Sequence, residues 1–164
     1  MLPMLQSLAR YNCWANTTLL QDAAKADPAC LTTPRPVDFG SILGVLNHLL
    51  LADRLWLYRL TGQGEAPASL GGLVATSLEA LIPLRQAEDA RILEMTATLS
   101  PARLAETLHY RTIHGQPMAM PLAVCMMHLF NHQTHHRGQV HALLGQCNAP
   151  VRDLDFVYFM RDHS

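Results

Sequence analysis

Five of the nine histidines lie within fourteen consecutive positions of the segment HLFNHQTHHRGQVHALL, residues 128–144: His128, His132, His135, His136 and His141. A neutral imidazole offers a lone pair to a divalent ion, so metal binding is the chemistry this grouping points to. On a helix, at about 100° per residue, His128, His132, His135 and His136 share an arc of roughly a quarter turn, whereas His141 points away from it. Two side chains of one helix reach a common ion when they stand one turn apart, at i, i+4 or the looser i, i+3. The pairs 128/132, 132/136 and 132/135 satisfy that condition. All contain His132, so spacing selects His132 and leaves its partner open.

A third ligand has to come from another element, and His48 is the best candidate. Its neighbours one turn away are Gly44, Val45, Leu51 and Ala52, an apolar face that should turn inward. An unpartnered imidazole buried there would cost about 1–3 kcal/mol, which a shared ion would remove. The plain alternative is a core histidine bonded to a carbonyl, with His135 and His136 as surface residues. His109 and His114 could reach only the rim of such a site, and His163 should be exposed near the chain end.

Three nitrogen ligands leave a divalent ion an open position, the pattern of a catalytic site more than of a closed structural one. Nitrogen donors suit zinc, nickel or iron equally. The sequence has no GxSxG, no glycine-rich phosphate loop, no HExxH and no evident acid–base pair, so the ion would have to carry most of the chemistry. Gln139 lies within a turn of His136 and could orient it or bind substrate, and Gly138 could admit a neighbouring helix. Arg137 should point to the far side of the helix, toward a surface or dimer ion pair. Trp14 and Trp56 read as core, Asn12 and Asn16 as bridges between helices, and Asp53 and Arg54 as ion-pair partners.

Four long helical patterns can hold these residues. The first spans about Pro3 to Ala26, with Leu5, Leu8, Asn12, Ala15 and Leu19 at spacings of three or four and Pro28 beyond its end. The second starts between Asp38 and Ser41 and closes at Thr61-Gly62. A loop follows over residues 61–72, rich in Gly, Pro and Ser. Thr76 with Glu79 predicts a capping box for the third helix, where Pro83 predicts a kink or a later start. Leu108, Tyr110 and Thr112 alternate with His109, Arg111 and Ile113, and His114-Gly115 predicts the turn of a short hairpin. Pro121 suits the first turn of the fourth helix, with Gly145 as its stop. Asp153 should cap a short terminal helix through Met160. The expected architecture is all-α, a single domain over residues 1–164: a four-helix bundle with a short β-hairpin before the fourth helix and a short C-terminal helix.

Composition narrows the function classes. Hydrophobic residues make up 49% and charged residues 15%, as in a folded globular protein, and the net charge of −1 offers no basic surplus for a nucleic-acid partner. There is no signal-peptide pattern and no apolar run of membrane-spanning length, which predicts a cytoplasmic protein without a membrane partner. The scattered Cys13, Cys30, Cys125 and Cys147 contain no CxxC and are expected to be reduced packing residues.

Three segments together, YNCWAN in the first helix, NHLLLADRLW in the second and HLFNHQTHHRGQ in the fourth, resemble the DinB (DNA-damage-inducible) family of metalloenzyme-like bundles. The likeness follows the family's order over nearly the whole chain. It implies a four-helix bundle, often a homodimer, binding a divalent metal, typically nickel or zinc. It also implies His48, His132 and His136 as ligands, with His128 and His135 beside the site. Relatives in the wider superfamily imply a thiol-dependent transferase or isomerase in which the metal activates a low-molecular-weight thiol. The rival expectation is a non-enzymatic metal-binding or stress-response bundle. A third is a plain bundle whose histidines only pack.

Overall fold

Each long helix begins and ends where local chemistry dictates. The computed structural model describes residues 1–163. Helix α1 is Leu2–Ala23, with Pro3 in its first turn. A short helix α2, Pro28–Thr32, follows where the sequence suggested only a stop; Pro28 opens it, and the Asp27 side chain accepts from the Ala29 amide. Helix α3, Ile42–Thr61, is capped by the Ser41 hydroxyl on the Gly44 amide and ends at Gly62 in the left-handed region.

Helix α4, Leu78–Ala97, differs from expectation on two counts. Its cap is Ser77, accepting from the Ala80 amide, not Thr76, and it runs unbroken through Pro83. Pro83 is exposed and close to the N-terminus, so the Glu79 carbonyl it leaves unpaired is open to water. A turn of helix, α5 (Pro101–Leu104), leads to strands β1 (Thr107–Arg111) and β2 (Pro117–Pro121), paired antiparallel with Thr107 opposite Pro121. Gly115 supplies the positive φ of the turn. Helix α6, Leu122–Gln146, passes Gly145 by one residue, and α7 is Phe156–His163, starting later than Asp153 predicted.

The long helices form a ring in which α1 and α3 each touch both α4 and α6. One apolar cluster joins the end of α1, the start of α3, Leu81 of α4 and Val140 and Leu144 of α6. The other joins the start of α1, the end of α3, Ile92 and Met95 of α4 and the first turns of α6. The helix directions are therefore up, down, down, up. Because α3 and α4 are parallel neighbours, residues 62–77 must return along the bundle; the 20 residues of α3 rise about 30 Å, within the roughly 50 Å such a segment can span. Asn47 ties this return loop down: its amide donates to the Ala75 carbonyl, and its oxygen accepts from the amides of Val74 and Ala75.

Between the apolar clusters lies a buried polar belt contributed by all four helices. Arg85 stands 2.7 Å from Asp53 and 3.1 Å from Asp89. Its N–H groups are not aligned on the oxygens, so the charge is neutralised without being fully hydrogen-bonded. Asn12 and Asn16 donate to Asp89, at 3.3 and 2.9 Å, and Arg137 donates to the side-chain oxygens of both. The asparagines thus bridge helices as expected, and Asp53 and Arg54 form ion pairs, the latter with Glu88.

Arg137 is the correction. It is 2% exposed and lies under the Tyr11 ring, 5.3 Å from its centroid, not at a surface. Two asparagine oxygens and an aromatic face supply what a buried guanidinium requires. Trp14 is half-buried beneath α7 against Phe159, and Trp56 half-buried against Tyr110 and His128.

A second correction concerns the cysteines. Cys30 and Cys147 form a disulfide with their Cα atoms 6.2 Å apart, while Cys13 and Cys125 are free. Their separation of 117 residues carries no sequence signature. The pairing arises because Leu31 of α2 packs into the same apolar cluster as Leu144 near the end of α6.

Candidate metal centre

Helices α3 and α6 run side by side and place His48, His132 and His136 together, with one ring nitrogen from each within 4.8 Å of the others. Ring centroids are 5.0 Å apart for 48 and 132, 4.6 Å for 48 and 136, and 4.5 Å for 132 and 136. His48 and His136 are buried, and His132 is half-buried.

Two of the three rings have their orientation fixed from behind. His48 Nδ1–H donates to the Leu70 carbonyl at 3.0 Å, so Nε2 carries the lone pair. That Nε2 faces His132 Nε2 at 3.2 Å, close to the roughly 3.3 Å between two nitrogens bound at about 2.05 Å to one tetrahedral ion. His136 Nδ1–H donates to Gln139 Oε1 at 2.7 Å, and the Gln139 amide donates to Asp38 at 3.3 Å. This carboxylate–amide–imidazole relay leaves His136 Nε2 free, as metal-site histidines require.

Electrostatics favour the neutral rings. Burial lowers the pKa of all three, and the neighbouring imidazoles press His132 further, down to about 3. At neutral pH the cluster therefore presents unprotonated nitrogens, the form that ligates.

The remaining histidines separate cleanly. His128 is exposed, 5.7 Å from His132 and 5.1 Å from Trp56 by ring centroids. His135 is exposed and forms a second close set with His136 and Asp38 at the rim. His141 meets the Arg152 carbonyl, and His163 is exposed against Phe159. His109 is exposed on β1, and His114 sits near the hairpin turn. Gly138 meets no neighbour within 4 Å of an ideal Cβ, so it admits no helix. The large apolar cleft lined by Leu31, Leu43 and Ile82 lies toward α2 and α4, apart from the imidazoles.

Sequence reasoning missed Asp38, Phe39 and Leu70. Phe39 stacks on His48 with centroids 3.7 Å apart and planes 12° from parallel, in a left-handed backbone conformation at φ 63°. Its carbonyl lies 2.0 Å from where a Cβ of Gly44 would stand, so only glycine at 44 lets the loop close over His48. The pair Phe39-Gly40 just before the Ser41 cap was the available signal. Leu70 acts through its carbonyl, which no side-chain pattern reveals.

Solved structures share this architecture. A DinB-like protein from Bacillus cereus ATCC 10987 is 19% identical, with a TM-score of 0.65 over 85% of this chain and 89% of that one. A DinB-like protein from Bacillus subtilis is 11% identical, with a TM-score of 0.64 over 90% and 97%. No curated protein matches the chain. At these identities the likeness establishes the fold, whereas the DinB family profile matches residues 1–162, and on that match the chain belongs to the DinB family.

Proposed function

We propose that the chain binds one divalent metal ion, nickel or zinc with iron as the further candidate, through His48, His132 and His136. The observation that carries this reading is the convergence of three imidazole ring nitrogens within 4.8 Å, two of the rings held by hydrogen bonds on the opposite ring nitrogen. A core histidine satisfied by a carbonyl would need only the Leu70 bond; it would not need two further imidazoles at its other nitrogen.

An ion held by these three residues would supply Lewis-acid chemistry for a thiol or a water. The protein's own contribution is orientation and shielding. Leu70 and Gln139 fix the rings, Phe39 covers one face of His48, and His135 with Asp38 stands at the rim. There a ring nitrogen or carboxylate oxygen could accept a proton from a substrate group held at the rim. The reaction class that fits is transfer to, or isomerisation through, a low-molecular-weight thiol. We place the protein in the cytoplasm as a homodimer; among the described residues no helix is long and apolar enough to cross a membrane.

Metal analysis of the purified protein tests the site. Wild type should carry close to one equivalent, His132→Ala should carry almost none, and His128→Ala should match wild type. Equal content in all three would refute the site. Cobalt substitution then separates catalysis from storage: a visible spectrum that shifts on adding thiol supports an exchangeable position. An inert spectrum, with no turnover of thiol and electrophile, would favour a non-enzymatic metal-binding protein.

A further inference from the structure

The Cys30–Cys147 bond joins α2, which precedes the loop over the histidine cluster, to the end of the helix that bears His132 and His136. Cys30 belongs to α2, which leads into the segment bearing Asp38 and Phe39; Cys147 caps α6, which bears His132 and His136. Arg35 stands between them, its Nη2 at 2.8 Å from the Cys30 sulfur and 3.3 Å from that of Cys147, with Nη1 donating to Gln146. The backbone of Arg35 also closes the loop over the site. Its amide donates to the Gly40 carbonyl at 2.8 Å, and its carbonyl accepts from Val37 at 2.8 Å. One residue therefore touches both sulfurs and holds the turn carrying Asp38 and Phe39.

Both bonded cysteines are half-buried, neither enclosed in the core. A guanidinium beside a sulfur stabilises the thiolate, which speeds exchange and makes the disulfide easier to reduce. That environment differs from the two free cysteines, whose thiols burial pushes up and makes less reactive. In a reducing cytoplasm a disulfide in such surroundings is a responsive one, not a permanent staple.

We propose that Cys30 and Cys147, with Arg35, form a reversible thiol–disulfide exchange site for low-molecular-weight disulfides, and that oxidation clamps the Asp38–Phe39 segment over the histidines. In the forward direction one protein thiolate attacks a sulfur of R–S–S–R, forming a mixed disulfide and expelling RS⁻. The second protein thiolate attacks the protein sulfur of that mixed disulfide, forms the Cys30–Cys147 bond and expels a second RS⁻. The two protons of the protein thiols end on the two released thiols. The protein loses two electrons, and the small disulfide gains them.

The test uses the folded, full-length protein equilibrated in buffers of reduced and oxidised glutathione, then alkylated and mapped by mass spectrometry. Interconversion confined to Cys30 and Cys147 without denaturant is expected. A bond that never forms, or that reduces only in denaturant, would overturn the exchange site. Arg35→Met should slow alkylation of the reduced pair about five- to tenfold at pH 7, through the lost thiolate fraction; an unchanged rate removes Arg35 from the site. Hydrogen exchange of the amides of Arg35 and residues 37–41 should quicken on reduction and in the Cys30→Ser/Cys147→Ser variant. Equal exchange in both states would overturn the clamp. None of these readouts needs bound metal, so they fail independently of the metal assignment.

Discussion

Replacing Gly44 with alanine puts the loop over His48 to a direct test. In a helix the change from glycine to alanine ordinarily stabilises, by at most about 1 kcal/mol for a residue in the first turn such as Gly44. Here an ideal Cβ would stand 2.0 Å from the Phe39 carbonyl oxygen and 3.2 Å from Ser41 Oγ. Restoring an ordinary contact requires the Phe39 backbone to retreat by roughly 1 Å or more. That retreat disturbs the turn bonds from the Arg35 amide to Gly40, from Gly40 to Val37 and from Ser41 to Phe39. It also lifts Phe39 from His48, whose stacking is worth about 0.5–1.5 kcal/mol. With each turn bond worth about 0.5–1.5 kcal/mol, the losses exceed the propensity gain, and Gly44→Ala should destabilise by about 1–3 kcal/mol. For a chain of 164 residues that lowers Tm by roughly 3–10 °C. Gly138→Ala is the control: it lies in α6 with nothing within 4 Å of its Cβ, so it should raise stability by about 0.5–1 kcal/mol. Calorimetry of both variants decides the matter. A rise in Tm for Gly44→Ala would show that Phe39 is not seated against α3 as described.

The imidazole cluster sets a pH dependence in the metal-free protein. Its three pKa values are lowered by burial, His132 to about 3, so the unfolded chain binds more protons below its ordinary value near 6.5. The stability they contribute is complete above about pH 6.5 and is lost as pH falls toward 3. Asp89, raised to about 6, pulls the other way between about pH 4 and 6. The informative measurement is therefore the Tm of wild type minus that of His132→Phe, which should be level above about pH 6.5 and decrease as pH falls from there to 5; a difference constant down to pH 5 would contradict the burial argument. Gln139→Leu removes the hydrogen bond that orients His136 and should weaken metal binding about 10- to 100-fold in competition with a chelator, while leaving the stoichiometry at saturation unchanged. Unaltered affinity would show that His136 is oriented by packing alone. Gln133→Leu keeps the volume but strips the bonds from α6 to the Leu49 carbonyl and to Asp53. It should cost about 1–3 kcal/mol in urea titrations, because a buried carboxylate loses a partner; a neutral effect would make the belt's bonds dispensable.

Much of the bundle could be read from local rules, since a helix announces itself through periodicity, a serine before it and a glycine after it. The second helix shows this well: Ser41 and Gly62 bound it as the residue types predict. The hairpin followed from alternation, with Leu108 buried and His109 exposed. What escaped depended on contacts between distant segments. Arg137 lies on the far side of the helix from the histidines, where spacing suggests a surface or dimer ion pair, and only the facing Asn12 and Asn16 oxygens make its burial possible. The disulfide escaped for the same reason, since it depends on where α2 comes to rest. At the candidate centre, spacing selected His132 and the apolar face selected His48, whereas Asp38, Phe39 and Leu70 are recruited by loops whose paths have no period.

The polar belt accounts for why the histidines can meet at all. An apolar seam between α3 and α6 would tolerate sliding, because one leucine packs nearly as well as the next. A slip of one helical turn is about 5.4 Å, larger than the 3.2 Å between His48 and His132 Nε2, and it would break up the set of His48, His132 and His136. Gln133, fully buried and adjacent to His132, donates to the carbonyl of Leu49, adjacent to His48, and to Asp53 one turn further along. Asp53 is in turn held by Arg85 of α4. Any other register would leave the Gln133 amide buried without its two acceptors and take one donor from the buried Asp53 carboxylate, a penalty that apolar packing does not offset. The belt therefore fixes the α3–α6 register to within a fraction of a turn, and the imidazoles one position away on each helix inherit that precision.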